Sequence, residues 1–418
     1  MDPLSRRVVV TGIGLAAPCG IGVDASWETL IAGRSCIGPI TLFDPQRHAV
    51  RIAGEVKGWD PLRFVEKKKV RQFDRFMQLA FGAACLAVQD AGLELTDQER
   101  AAAACIVGAG LGGLDSLERN LLVAHDPAKG PSRVSPYMIP NTIPNMAAAQ
   151  ISMAWGLRGP SLCISTACAS GADAIGLACD LIRAGRCPAA LAGGTEAIIT
   201  PGGIASFQAM LALSRRNHEP QRASRPFDRD RDGFVCAEGA GILVLEPMRR
   251  AAARGARIYA EVTGYGASSD AFHPVHPCPE GAGARLAMER ALADARLHPK
   301  DIDYVNAHGT STPAGDVHEC TAIRSVFGDH AASRKLWVSS TKSMTGHLLG
   351  GAGALEAAVC ALACAHAIVP PTINVDAQDP ACDLDVVPNE ARRRTVRHAL
   401  SNSFGLGGCN ATLILSRV

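Results

Sequence analysis

Residues 161–185 read SLCISTACASGADAIGLACDLIRAG. A short apolar run at 161–165 gives way to small residues and then to a helical pattern over 168–184, which predicts a strand, a tight turn and a helix. The same alternation extends in both directions. Runs at 7–11, 104–107, 189–192, 242–245, 258–265, 302–307, 336–340 and 411–415 have strand character. Between them, Ala- and Leu-rich stretches at 73–91, 281–295, 316–327 and 348–367 have helical character. This alternation is the α/β signature. The helical stretches are nearly uncharged, which fits mixed strands with buried helices on both faces. A second glycine-rich helix start, GHLLGGAGALEA at 346–357, echoes ACASGADAIG at 167–176 and hints at an internal duplication.

The chain has 418 residues, 47% apolar and 20% charged, with a formal net charge of +2. That balance fits a globular protein and gives no global electrostatic pull toward nucleic acid. Fifteen Cys occur with no CxxC pair, which argues against a zinc ribbon, a redox dithiol or a disulfide framework. Reduced, buried thiols and a cytoplasmic location are expected. The stretch 353–369 carries Glu356 and His366 and is read as a buried helix, with no membrane insertion expected. The polar stretch 215–232, RRNHEPQRASRPFDRDRD, is read as a surface loop.

Chemistry concentrates at three places. Cys168 lies where strand passes into helix, and unpaired N–H groups at a helix N-terminus lower a thiol pKa. His308 stands in YVNAHGTSTPAGD, at a strand end before a Gly/Pro/Thr-rich loop. His347 stands in SSTKSMTGHLLGGAGALE, five residues after Lys342 and two to three turns before Glu356. At a helix start the imidazole should be neutral.

Together these motifs resemble the β-ketoacyl-acyl-carrier-protein synthase family, synthase II type. The strings AHGTSTPAGD, SSTKSMTGHLLG, RPFDRDRDGFV and VPPTIN occur in the family's order, and the resemblance runs from RRVVVTGIG to SNSFGLGGCNATLIL. It implies a thiolase-like fold, two related βαβαβαββ halves in α-β-α-β-α layers, with residues 1–256 carrying the nucleophile and 257–418 the two histidines. It implies a homodimer and a ping-pong decarboxylative Claisen condensation, with acyl carrier protein as partner. No cofactor is implied, because the carrier brings the phosphopantetheine, and no metal. By the resemblance Cys168 takes the acyl chain, while His308 and His347 donate to the enolate oxygen. Backbone N–H groups at Cys168 and Phe404 form the thioester hole, and Phe404 and Gly405 belong to a gating loop. Lys342 is implied to be an organiser ion-paired with Asp316 and Glu356. Thr310 and Thr312 would hold the pantetheine arm, and Leu111 and Phe207 would line the acyl pocket.

The chain departs from the family at Val275-His276, where Thr-Ser is usual, and at Leu406 and Cys409 in GLGGCN. A type II polyketide ketosynthase shares the Cys-His-His set and is the rival reading. A non-catalytic chain-length-factor subunit would lack the cysteine. The basic run 63–75 (Arg63, Lys67, Lys68, Lys69, Arg71, Arg75, against Glu66 and Asp74) would suit docking of an acidic carrier protein. Two motifs are decoys. Gly108–Gly113 satisfies GxGxxG, yet about 20 residues on stands Lys129-Gly130-Pro131 and not a ribose-binding carboxylate in a following strand. The run Asp228–Asp232 imitates a calcium loop but has Gly239 at the twelfth position and is read as a salt-bridged loop.

Overall fold

A computed structural model describes residues 7–418. Ten strands form one continuous sheet: β1 (Val8–Ala17), β2 (Ala104–Gly108), β3 (Ser161–Ile164), β4 (Ala190–Glu196), β5 (Gly239–Pro247), β6 (Ala260–Ser269), β7 (Tyr304–Asn306), β8 (Trp337–Ser339), β9 (His398–Gly405) and β10 (Cys409–Ser416); the two-residue strand Gly20–Ile21 adds to β1. Their order is β8-β7-β9-β10-β6-β1-β5-β4-β2-β3. From the outer edge to the seam the first five strands are arranged 3-2-4-5-1, and the last five repeat that order from their own outer edge to the seam. Orientations repeat too: the second strand is parallel to the third and fourth, and the fifth is antiparallel to the fourth and first. The halves join where Val8–Val10 pair with Ala260–Val262.

Six of the helices among the described residues matter most for the layers: α1 (Arg75–Ala91), α2 (Met146–Trp155), α3 (Ser170–Arg183), α4 (Ala282–Ala295), α5 (Pro313–Ala332) and α6 (Ala352–His366). Helices α3 and α6 touch each other and strands of both halves, while α1 covers β1 and β5 and α4 covers β6 and β10. Both central helices are therefore sandwiched, and every residue of α6 from Ala352 to Cys364 is buried. The segment Leu349–His366 is long and apolar enough to cross a bilayer, but it is spent here as the central core helix.

The duplication has a second signature in sequence, Thr11-Gly12-Ile13-Gly14 in β1 against Thr263-Gly264-Tyr265-Gly266 in β6. A side chain at either glycine of each pair would strike the backbone of α1 or α4, so bare backbone lets the helix lie directly on the strand. Strand β9 was not foreseen from the sequence. It reads HALSNSFG, and its Ser401, Asn402 and Ser403 are polar yet buried, so no apolar run marks it. The stretch 215–232 is not a surface loop throughout. Ala223 to Asp228 are buried, because Arg225 pairs with Asp228 at 2.9 Å and the Phe227 N–H donates to Asp316 at 2.9 Å.

Candidate active site

The chain turns from β3 into α3 through a single 3-10 turn, Ala167–Ala169, with Ala167 at φ 51. That left-handed residue is strained for alanine and is held from both sides. Ser170 Oγ donates to Ala167 O at 2.6 Å and accepts from the Thr166 N–H at 2.9 Å. The tight turn leaves Cys168 facing a cavity of about 380 Å³, lined also by Phe207, Phe234, His308, His347, Leu349, Phe404, Gly405 and Leu406. The cysteine itself is only 7% exposed. Burial pushes its thiol up to about 12, against the opposing pull of the Lys342 ammonium and the Leu406 backbone N–H. The depressed thiol expected from the helix start is therefore not found: desolvation disfavours the thiolate more than its neighbours favour it.

His308 and His347 meet in the cavity, their ring centroids 5.2 Å apart and their planes at 84°. Burial, then the Lys342 charge, holds both imidazoles well below their ordinary value, and His347 adds to the effect on His308. Both are neutral at physiological pH. The Leu349 N–H donates to His347 Nδ1 at 3.3 Å, which assigns the proton of His347 to Nε2. Strand pairing fixes the backbone, since the His347 N–H donates to Val235 O and its carbonyl accepts from Ala237. His308 is anchored by its own N–H, which donates to Glu319 Oε1 at 2.8 Å, with the Gly309 N–H on Oε2 at 2.7 Å.

Lys342 is buried and ion-paired with Glu356, as expected. Asp316 corrects the expectation. It meets Arg231 at 3.5 Å and accepts N–H bonds from Phe227 and Ser311. Its place near Lys342 is taken by Glu319, one turn further along α5. The Lys342 charge draws the Glu319 carboxyl down, although burial dominates and leaves it raised. The i, i+3 spacing of Asp316 and Glu319 is the one sequence signal that could have pointed to Glu319.

The chain that places this cysteine and two neutral imidazoles in one pocket is similar to known proteins over its whole length. Sequence models described as "Beta-ketoacyl synthase, N-terminal domain" and "Beta-ketoacyl synthase, C-terminal domain" match residues 5–251 and 259–376. The chain belongs to the β-ketoacyl synthase family. It is 48% identical to a 3-oxoacyl-acyl-carrier-protein synthase 2 of Vibrio cholerae and 47% identical to that of Vibrio harveyi, each covering 99% of both chains. Among solved structures, a β-ketoacyl synthase from Burkholderia phymatum STM815 is 36% identical with TM-score 0.91, covering 99% of both chains. The ishigamide ketosynthase/chain length factor is 39% identical with TM-score 0.91 over 99% of both.

The remaining β-ketoacyl synthase positions sort clearly in space. Phe404, next to last in β9, has its ring 5.7 Å from that of His308. Gly405 lies so close to the Cys168 N–H that a side chain there would crowd it. Thr310 and Thr312 line the mouth, their hydroxyls 3.1 Å apart, beside Val275 and His276. His273 Nδ1 accepts the N–H groups of Val275 and His276, both at 3.0 Å, and so folds that loop. Phe207 lines the cavity and packs on Phe234, which in turn packs on His347; the centroids are 5.5 Å apart in each case. Phe234 sits within RPFDRDRDGFV but was not singled out from the sequence.

Leu111 is a correction, because it is 48% exposed and outside the cavity lining. Its peptide is clamped instead: the N–H groups of Gly110, Leu111 and Gly112 donate to Glu196 at 2.7, 3.1 and 3.2 Å. The GxGxxG stretch therefore cradles a carboxylate of its own chain. In the basic run, Arg75 turns inward to Glu238, whereas Lys68 and Lys69 stay exposed beside Glu66.

Proposed function

We propose that this chain condenses an acyl group with malonyl carrier protein, releasing carbon dioxide and a β-ketoacyl carrier protein, in fatty acid chain elongation. One observation carries the reading: a cysteine and two neutral imidazoles face one apolar cavity of about 380 Å³. In the first step the Cys168 sulfur attacks the acyl thioester of the carrier. The carrier's thiol leaves with the proton, and the chain rests on Cys168. In the second, malonyl thioester loses carbon dioxide, and the electron pair collects on the thioester oxygen as an enolate. Neutral His308 and His347 donate N–H to that oxygen; such donors act strongly where water is excluded. The enolate carbon then attacks the Cys168 thioester, and the sulfur leaves.

The polyketide rival rests on structural likeness at 35–39% identity. The relatives at 46–48% are named as synthase 2 enzymes and favour elongation. The deciding experiment is intact-protein mass spectrometry with C4 to C16 acyl carrier proteins, followed by malonyl carrier protein. One adduct on Cys168, discharged as a β-keto product two carbons longer, supports elongation. Absence of any adduct from saturated chains overturns it in favour of a specialised starter.

The same reading includes acyl carrier protein as partner, Lys67, Lys68, Lys69 and Arg71 as its docking residues, and a cytoplasmic location. It includes no resident cofactor or metal and no binding of nucleic acid. It assigns residues 1–256 and 257–418 to the two halves. A homodimer is supported by the sheet edges. Strand β8 is covered, with Val338 N–H on Asp385 O at 2.8 Å, whereas Ser161 and Leu162 of β3 lie exposed at the opposite edge. Met153, on helix α2 which packs beside β3, is also exposed. An open edge with apolar flanks suits pairing with a second copy.

A further inference from the structure

Outside the cavity, a partly buried hydrogen-bond chain centred on buried Asp173 links the turn that carries Cys168 to the other half of the protein. Thr166 Oγ1 donates to Asp173 Oδ2 at 2.5 Å, and Tyr265 OH donates to Asp173 Oδ1 at 2.7 Å. Thr166 directly precedes Ala167, the residue at φ 51, and Asp173 lies in the first turn of α3. Tyr265 comes from β6, across the seam. Its ring occupies a notch on α3 that only glycine at 176 leaves open, and its N–H is tied to Asp294 at 3.0 Å. Burial and the Asp173 carboxylate push the Tyr265 hydroxyl above its ordinary value, so it remains a donor. Both carboxylate oxygens thus hold one hydroxyl each, and the carboxylate fixes Thr166 relative to β6.

We propose that Tyr265 is a positioning residue for Cys168, acting through Asp173 and Thr166 on the strained turn that aims the thiol. Ser170 holds the turn from the α3 side, and the Thr166–Asp173–Tyr265 chain holds it against the partner half. The inference rests on Cys168 being the acylated residue. Tyr265→Phe deletes one hydroxyl and keeps the ring in its notch. Acyl transfer to Cys168, timed by intact mass, should slow about three- to tenfold, the scale of one lost hydrogen bond. Carbon dioxide release from malonyl carrier protein without acyl donor depends on His308 and His347 and should stay at the wild-type rate.

Thr166→Val, which removes the other end of the chain, should reproduce the effect. The double variant should be no slower than the slower single one, because both changes break the same connection. Acylation at the wild-type rate in Tyr265→Phe, equal loss of both half-reactions, or multiplying effects in the double variant would overturn the proposal. Failure of the wild-type protein to acylate Cys168 at all would instead overturn the function reading.

Discussion

His308 and His347 meet edge to face, 5.2 Å between centroids, although 39 positions separate them in the chain. Their meeting depends on β7 and β8 lying side by side in parallel, with Asn306 opposite Ser339. The pair can serve one oxygen from two directions. Replacing either by alanine should leave acylation of Cys168 intact and lower malonyl decarboxylation about 10²- to 10³-fold, the usual cost of one oxyanion donor. Condensation at the wild-type rate by either variant would remove the enolate-hole assignment.

The same two imidazoles set a pH dependence. In the unfolded chain each protonates near pH 6.5; in the folded protein burial holds them neutral well below that. As pH falls through about 6.5 the unfolded state therefore binds more protons, so these groups subtract stability at acid pH and nothing above it. Urea midpoints between pH 5 and 8 should show a shallower acid decline in His347→Ala than in wild type. Parallel profiles would contradict the assignment of neutral histidine.

Because burial pushes the Cys168 thiol up to about 12, its thiolate fraction at neutral pH is small in the resting protein. The rate of iodoacetamide modification at Cys168 should climb tenfold per pH unit through pH 9 without levelling. Lys342→Met removes the nearest favourable charge and should lower that rate further at any pH. A plateau near pH 8 would mean that the helix start outweighs desolvation.

The Lys342–Glu356 pair is buried on both sides. Burial already raises Glu356 to about 7 despite the adjacent ammonium. Lys342→Ala should cost about 3–5 kcal/mol, the loss typical of an orphaned buried charge, read by urea denaturation. Lys342→Met with Glu356→Leu should recover most of that stability and none of the condensing activity. Restored activity would show that the pair has no role beyond folding.

Glu196 accepts four backbone N–H groups, those of Gly110, Leu111, Gly112 and Gly350, and burial lifts its carboxyl to about 7. A glutamine there turns an NH₂ group toward N–H donors and leaves acceptors short. Glu196→Gln should therefore destabilise the protein by about 1–3 kcal/mol. It should also speed amide exchange at Gly110 and Gly112, and unchanged exchange would deny the clamp.

Short-range pattern was enough to reveal the α/β class, the strand-to-helix turn at Cys168 and the candidates His308, His347 and Lys342. Strand and helix periods, glycine at turns and long motif strings are all written within a dozen residues. Other features needed the folded chain. Asp316 was assigned to Lys342 because spacing cannot say which carboxylate on one helix face reaches which cation; the backbone N–H groups of Phe227 and Ser311 and the Arg231 guanidinium decide that. Leu111 was read as pocket lining because the clamp on its peptide comes from Glu196, 85 positions away. Strand β9 stayed hidden because Ser401, Asn402 and Ser403 look exposed until neighbouring strands and α6 bury them. Even the Cys168 thiol changed direction, since a helix start is local and visible, whereas desolvation is the sum of everything packed around the sulfur. Sequence determined which groups could do chemistry; tertiary structure decided their partners and charge states, because burial and hydrogen bonding depend on approaches between residues far apart in the chain.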